Sequence, residues 1–309
     1  MAYETGSATG VVDLLSKLRT FLAANGWTEN RWSAQGSGNW LNVSKSSMYI
    51  NIVSDPSAGT TNRPGHFLRA YGATSYSSGS AYTAQPNTSG AVIVNGLGTT
   101  SLTAYHFFAA DDYVYVVIEV TPGYYKHLHF GILTKFGTYT GGWFIFGSSH
   151  NYQTSGSNLP NDFYQDHSLP WVASGNSTAA DGRGQVRADI NGASNKWFNT
   201  YYSTTIADRV ISGVYGYNTT VNLGQNIMAN SPNALNGLTP FFPCMLLAGN
   251  SNSLYNPLGY GPGIRAIRMD NLTPGASVTI AGVSWKVFPI YNKPSGGGAC
   301  YGYAIRYIP

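Results

Sequence analysis

YHFFAADDYVYVVIEVTPGYYKHLHFGILTKFGTYTGGWFIFG, residues 105–147, joins strand patterning to a high density of aromatics and glycines. From 113 to 120, Val114, Val116, Ile118 and Val120 fall on one face and Tyr115, Val117 and Glu119 on the other. That is the period of two expected of a half-buried strand. AADD before it and TPGYY after it have the residue types of hairpin turns. The stretch therefore reads as sheet, not as an active site.

Working outward, NWLNVSKSSMYINIV (39–53) predicts a hairpin turning at Lys45-Ser46-Ser47, with further strands at HFLRAYG (66–72) and AVIVNG (91–96). Strand-like segments resume at VRADI, RVISGVYGY and TTVNL, then at GIRAIRM, SVTIAGVSWKVFPI and ACYGYAIRYI. Pro274-Gly275 and Ala281-Gly282 mark the bends of a hairpin in the last third. TSYSSGSAYTAQPNTSG (74–90) is polar and low in complexity and reads as an exposed loop. From 150 to about 194 the pattern weakens, and this long irregular loop reads as a large ordered excursion that can make contacts with a partner.

Before the strands, Val11, Leu14, Leu15, Leu18, Phe21 and Leu22 recur at helical spacing, with Asp13 near the start and Asn25-Gly26 as a stop. This predicts one amphipathic helix over 11–24, preceded by the small flexible stretch ETGSATG. Its apolar stripe can cover the chain's own sheet or serve as an assembly surface against a neighbour. The predicted fold is mainly β: antiparallel sandwich or meander β domains with one N-terminal helix. The division is an N-terminal segment at 1–30, an antiparallel β domain at 31–150, and a second β region at 151–309, which can also be one continuous domain with the first. No strand–helix alternation supports a parallel sheet.

The chain has 309 residues, of which 43% are hydrophobic, enough for a proper core. Only 10% are charged, against roughly 25% in ordinary soluble domains. Obligate interfaces deplete Lys, Glu and Asp and enrich aromatics, so the composition points to an oligomer or assembly component; a charge-poor sugar binder is the other reading. Basic and acidic residues number 17 and 13, a net +4, and form no basic stripe, which disfavours nucleic acid. No apolar run approaches the ~18 residues of a membrane span, and Asp13, Lys17 and Arg19 interrupt the first apolar segment, arguing against a signal peptide. Folding in the cytoplasm of the producing cell is expected. Cys244 and Cys300, the only cysteines, read as idle thiols or one disulfide.

His127 and His129 form an H-x-H pair, whose imidazoles share one face of an extended strand. With a third ligand from His106, Asp111 or Asp112 they could hold a metal ion; hydrogen-bonded packing is the plainer role. Asp162, Asp166 and His167 gather in the irregular stretch and, with Glu119, offer a carboxylate pair for glycoside hydrolysis, against ordinary turn roles. The chain lacks a G-x-S-x-G elbow, a phosphate-binding loop and a dinucleotide fingerprint, and no cofactor is expected. Tyr71, Tyr76 and Tyr82 flank the polar loop, and Tyr124, Tyr125, Tyr139 and Trp143 cluster in the central block. Exposed aromatics of this kind stack on sugars or proteins, whereas aromatics in strands are mostly core.

Three blocks resemble structural proteins of tailed-bacteriophage virions: DLLSKLRTFLAANGW (13–27), HLHFGILTKFGTYTGGWFIFG (127–147) and WKVFPIYNKPSGGGACYGYAIRYIP (285–309). The resemblance spans most of the chain. It implies a non-enzymatic assembly role in the tail tip or baseplate, other tail or baseplate proteins as partners, a homo-oligomer within the particle, and the virion as final location. It carries no catalytic residues. A receptor- or carbohydrate-binding tail module that meets a host cell-surface glycan is the alternative, and a polysaccharide depolymerase the second alternative.

Overall fold

The computed structural model describes residues 1–57, 66–148, 169, 171, 184–190, 193–200, 210–212, 237–249, 255–292 and 301–309. The mainly β, antiparallel class expected from patterning is what it has. The 105–147 stretch supplies β7 (Leu102–Ala109), β8 (Tyr113–Thr121), β9 (Tyr124–Ile132) and β11 (Gly141–Gly147). They are joined on one side by β1 (Ala2–Ala8) and on the other by β12 (Gln185–Ile190) and β13 (Ala193–Asn199). Together they form the seven-stranded sheet A, in the order β1-β7-β8-β9-β11-β12-β13.

Sheet B has five strands in sequence order: β2 (Thr28–Gln35), β3 (Gly38–Lys45), β4 (Met48–Asp55), β5 (Phe67–Ala73) and β6 (Val92–Val94). Sheet C runs β14 (Val210–Ser212), β15 (Phe242–Gly249), β16 (Tyr255–Arg268), β19 (Tyr301–Tyr307), β18 (Val283–Pro289), β17 (Ser277–Ile280), with β10 (Thr134–Lys135) paired to β16. The hairpin turns fall where the sequence placed them. Lys45 pairs with Met48 across Ser46-Ser47, Ala109 with Val114 through the β7 register, and Ile280 with Val283 across Ala281-Gly282.

Alternation along the strands makes this a three-layer molecule. Tyr105, Phe107, Val114, Val116, Ile118, Leu128, Phe130 and Ile145 share one core with Leu41, Val43, Ile50, Ile52 and Leu68 of sheet B. The opposite face of sheet A, through Phe108, Tyr115, Val117, Phe144 and Phe146, shares a second core with Leu246, Ile264, Ala266, Phe288 and Ile305 of sheet C. Sheet A is thus covered on both faces. β8 is therefore buried on both faces from Val114 to Ile118, where the alternation had predicted a half-buried strand. A smaller cluster, Ile267, Met269, Trp285, Val287 and Ala304, lies on the far face of sheet C.

The helix α1 spans Val11–Ala24, the predicted 11–24. Asp13 accepts from the Thr9 amide at 2.8 Å and the Asn25 side chain closes the other end on the Phe21 carbonyl at 2.8 Å, satisfying groups left open at helix ends. Val11, Leu14, Leu15, Leu18, Phe21 and Leu22 are all buried in the core shared by sheets A and B. Of the two roles open to the stripe, the structure takes the first: the six assembly candidates face the chain's own core.

Three other expectations change. ETGSATG is not a loose leader, because residues up to Ala8 belong to β1, paired with β7; glycine and small residues suit this edge because the Tyr105 hydroxyl lies only 2.8 Å from where a Cβ on Gly6 would sit. β2, overlooked for its mixed polarity, completes sheet B. The excursion ends before 194, since β12 and β13 pair within sheet A. Sheet A therefore draws on all three predicted segments, joining strands from before residue 30 and after residue 150.

Candidate functional site

Two polar constellations stand out because they lie inside the protein. The first is on the sheet-C face of sheet A. His127 and His129, two apart on β9, are fully buried, with ring centroids 5.5 Å apart, and both meet the Tyr303 ring edge-on at 5.4 and 5.8 Å. His127 Nε2 lies 3.0 Å from the Pro289 carbonyl, which can only accept, so Nε2 carries the proton. The Trp171 indole N–H donates to His129 Nδ1 at 2.9 Å, which places the proton of neutral His129 on Nε2. Burial holds His127 down at about 4 and His129 well below the ordinary imidazole range.

These tautomers decide the chemistry. A metal ligand needs a bare ring nitrogen; that of His129 already faces an indole N–H, and only Nδ1 of His127 is left bare. His106 shares their face of sheet A but is separated from His127 by Val117, through the pairings His106–Val117 and Val117–His127, a span of about 10 Å at the usual strand spacing. Its Nδ1 lies 3.0 Å from the Tyr3 hydroxyl, and burial lowers it to about 4. Asp111 and Asp112 are in the exposed β7–β8 turn. Among the described residues no three His, Cys, Asp or Glu groups gather as a metal site. The histidines tie sheet A to sheet C.

The second constellation covers the outer face of sheet B. Asn42 and Asn51 face each other across β3 and β4; the Asn51 Oδ1 accepts from Asn42 Nδ2 at 2.8 Å and from the Trp40 indole at 3.0 Å. Asn30 donates to Asn42 Oδ1 at 2.9 Å. Arg31 lies 4.1 Å over the Trp40 ring and reaches the Ser78 carbonyl at 3.1 Å. Tyr82 stands edge-on to Trp40 at 5.9 Å and tilted to Tyr71 at 5.5 Å. Trp40 and Tyr71 are buried, while Tyr82 is partly exposed.

The 74–90 stretch forms the roof of this face, and it is more ordered than its composition implied. Gln85 is buried at its centre; its amide donates to the Ser77, Ser80 and Ala81 carbonyls, and its Oε1 accepts from the Ser77 amide. One side chain thus supplies bonds that regular structure would otherwise make. Ser89 donates its backbone N–H to the Gly72 carbonyl, and its hydroxyl accepts from the Gly72 amide. Trp197 crosses from β13 to give its indole proton to the Asn87 carbonyl at 2.8 Å.

Of the aromatics singled out by sequence, Tyr71 and Tyr82 come together; Tyr76 is not in their ring contacts. Tyr124, Tyr125, Tyr139 and Trp143 are dispersed. Tyr125 packs between sheets A and C, Trp143 in the other core, Tyr139 bonds the Leu258 carbonyl, and Tyr124 meets Tyr291 at the surface. Trp40, Arg31, Asn42 and Asn51 were missed, yet the hairpin at Lys45-Ser46-Ser47 already sets Asn42 opposite Asn51. Glu119 accepts from the Gly123 amide and the Tyr125 hydroxyl and so locks the β8–β9 hairpin. Asp162, Asp166 and His167 lie outside the described residues, as does Cys300; Cys244 is a buried free thiol. Among the described residues no helix is long and apolar enough to cross a membrane. No protein-family model matches the chain, and no curated protein matches it.

Proposed function

We propose that the chain is a non-enzymatic structural protein of a tailed-bacteriophage virion, in the tail tip or baseplate, assembling with other tail proteins and with copies of itself. Beside the resemblance of the three sequence blocks, the observation that carries this reading is how polar chemistry is used. The histidines, Glu119, Gln85 and the Asn42–Asn51 pair serve to lock sheets, hairpins and a loop together. Mechanical cohesion with few charges suits a permanent part of a particle. Light scattering of the purified chain, alone and mixed with extracts containing the other tail components, tests it. A defined oligomer or complex is expected; a monomer that joins nothing overturns it.

The Arg31–Trp40–Tyr82–Tyr71 cluster favours a second reading, a receptor-binding tail module for a host surface glycan. Tyr82 is its accessible ring, and an aromatic flanked by amide and guanidinium groups suits a sugar's apolar face and hydroxyls. This reading predicts glycan-array binding that Tyr82→Ala abolishes; an array without signal excludes it.

A further inference from the structure

We propose that β17 is a homotypic pairing edge: two copies of this chain join sheet C to sheet C through antiparallel β17 strands related by a two-fold axis at Thr279. Among the described residues β17 is the end strand of sheet C, paired with β18 alone, and Ser277, Thr279 and Ile280 are exposed. Its sequence, SVTI, carries no charge or proline. The longer end strands are guarded in the ways that prevent edge pairing: β1 has an irregular register between Gly6 and Ala8 and carries Glu4, β2 has one between Glu29 and Arg31, both charged, and β13 carries Lys196.

The backbone of this edge is self-complementary. Ala281 and Gly282 both have positive φ, 49° and 77°, as a two-residue type I′ hairpin requires. Ile280 and Val283, which flank that turn, form a pair that exchanges both backbone bonds. Counting back, Val278 turns its amide and carbonyl to Trp285, whereas Thr279 turns both outward. A second copy placed antiparallel with Thr279 opposite Thr279 receives two reciprocal bonds. In that register Val278 of one copy faces Ile280 of the other.

Side chains agree with the register. Val278 and Ile280 pair with Trp285 and Val283 and so share the face of sheet C that carries Trp285 and Val287. Ile280 is 42% exposed in the single chain. Pairing sets four apolar side chains side by side as an extension of that cluster, with Thr279 meeting Thr279 on the other face, a favourable cross-strand pair. Four residues a side fall short of the roughly 1,000 Å² that a free-standing complex needs. The contact is therefore weak alone and forms where copies are held close, a condition that rests on the assembly reading.

Cross-linking of the isolated full-length chain tests the pairing separately from its place in a particle. Opposed bonded residues have Cα atoms about 5.5 Å apart, within the disulfide range of about 4.4–6.8 Å. With Cys300→Ser as background, Thr279→Cys is expected to form a disulfide dimer under mild oxidation at high protein concentration at least tenfold faster than Thr138→Cys, an exposed control. Adding Ile280→Lys should slow it to the control rate while the melting temperature stays unchanged. Equal rates for the two cysteines, or a Thr279→Cys chain that cross-links only to a different protein in particles, overturn homotypic pairing.

Discussion

His106, His127 and His129 make the contact between sheets A and C sensitive to acid. Burial brings His106 and His127 from an ordinary 6.5 to about 4, and holds His129 well below 6.5. Between those values the unfolded chain binds protons that the folded chain does not. Their contribution is thus fully present above pH 6.5 and is lost as the pH falls toward 4. For His106 and His127 the shift corresponds to on the order of 3 kcal/mol apiece. Urea midpoints measured from pH 7 down to pH 5, above most carboxylate titration, should fall steeply, and a flat profile would show that these imidazoles are solvated. Cys244, buried with its thiol pushed upward, should resist a thiol reagent in the native chain and react on unfolding; prompt native labelling would contradict its placement. Neither burial nor tautomer was legible in the H-x-H spacing, which fixed only that both rings share a face. Trp171 and Pro289, distant in sequence, choose the nitrogens.

At the scale of elements, the helix was legible to its ends because apolar spacing, Asp13 and Asn25-Gly26 agree. What its stripe covers was not, since period alone does not name the partner. Leu18 has no exposure; Leu18→Ala should cost about 2–5 kcal/mol, and Leu18→Asp should prevent folding. A folded Leu18→Asp chain that merely fails to assemble would return the stripe to the surface. The order of the 74–90 loop was not legible in its composition. Low complexity hid one organising side chain, Gln85, whose bonds are all local. Gln85→Ala should loosen this roof by about 2–3 kcal/mol, giving faster proteolysis between residues 74 and 90 with the global transition little changed. Equal proteolysis rates would mean the loop is held by Ser89 and Trp197 instead.

For the whole molecule, antiparallel β was legible from alternation and turns, but the three layers were not. β8 alternates as a one-sided strand would, and only the pairing of distant strands reveals that both its faces are covered by sheets. β1 escaped notice because small residues carry little strand signal, and they are needed there to admit Tyr105. The outer face of sheet B was half legible: Tyr71 and Tyr82 drew attention, while Asn42 and Asn51 became a pair only when the hairpin set them opposite each other. Buried polar groups thus fasten the sheets, hairpins and loop of this molecule together. Quantitative mass spectrometry of density-purified particles from cells carrying the gene tests the proposed place in a virion most directly. This chain is expected in the particles at a fixed ratio to the other tail proteins, in several copies; a chain abundant in the lysate and absent from purified particles would contradict that place.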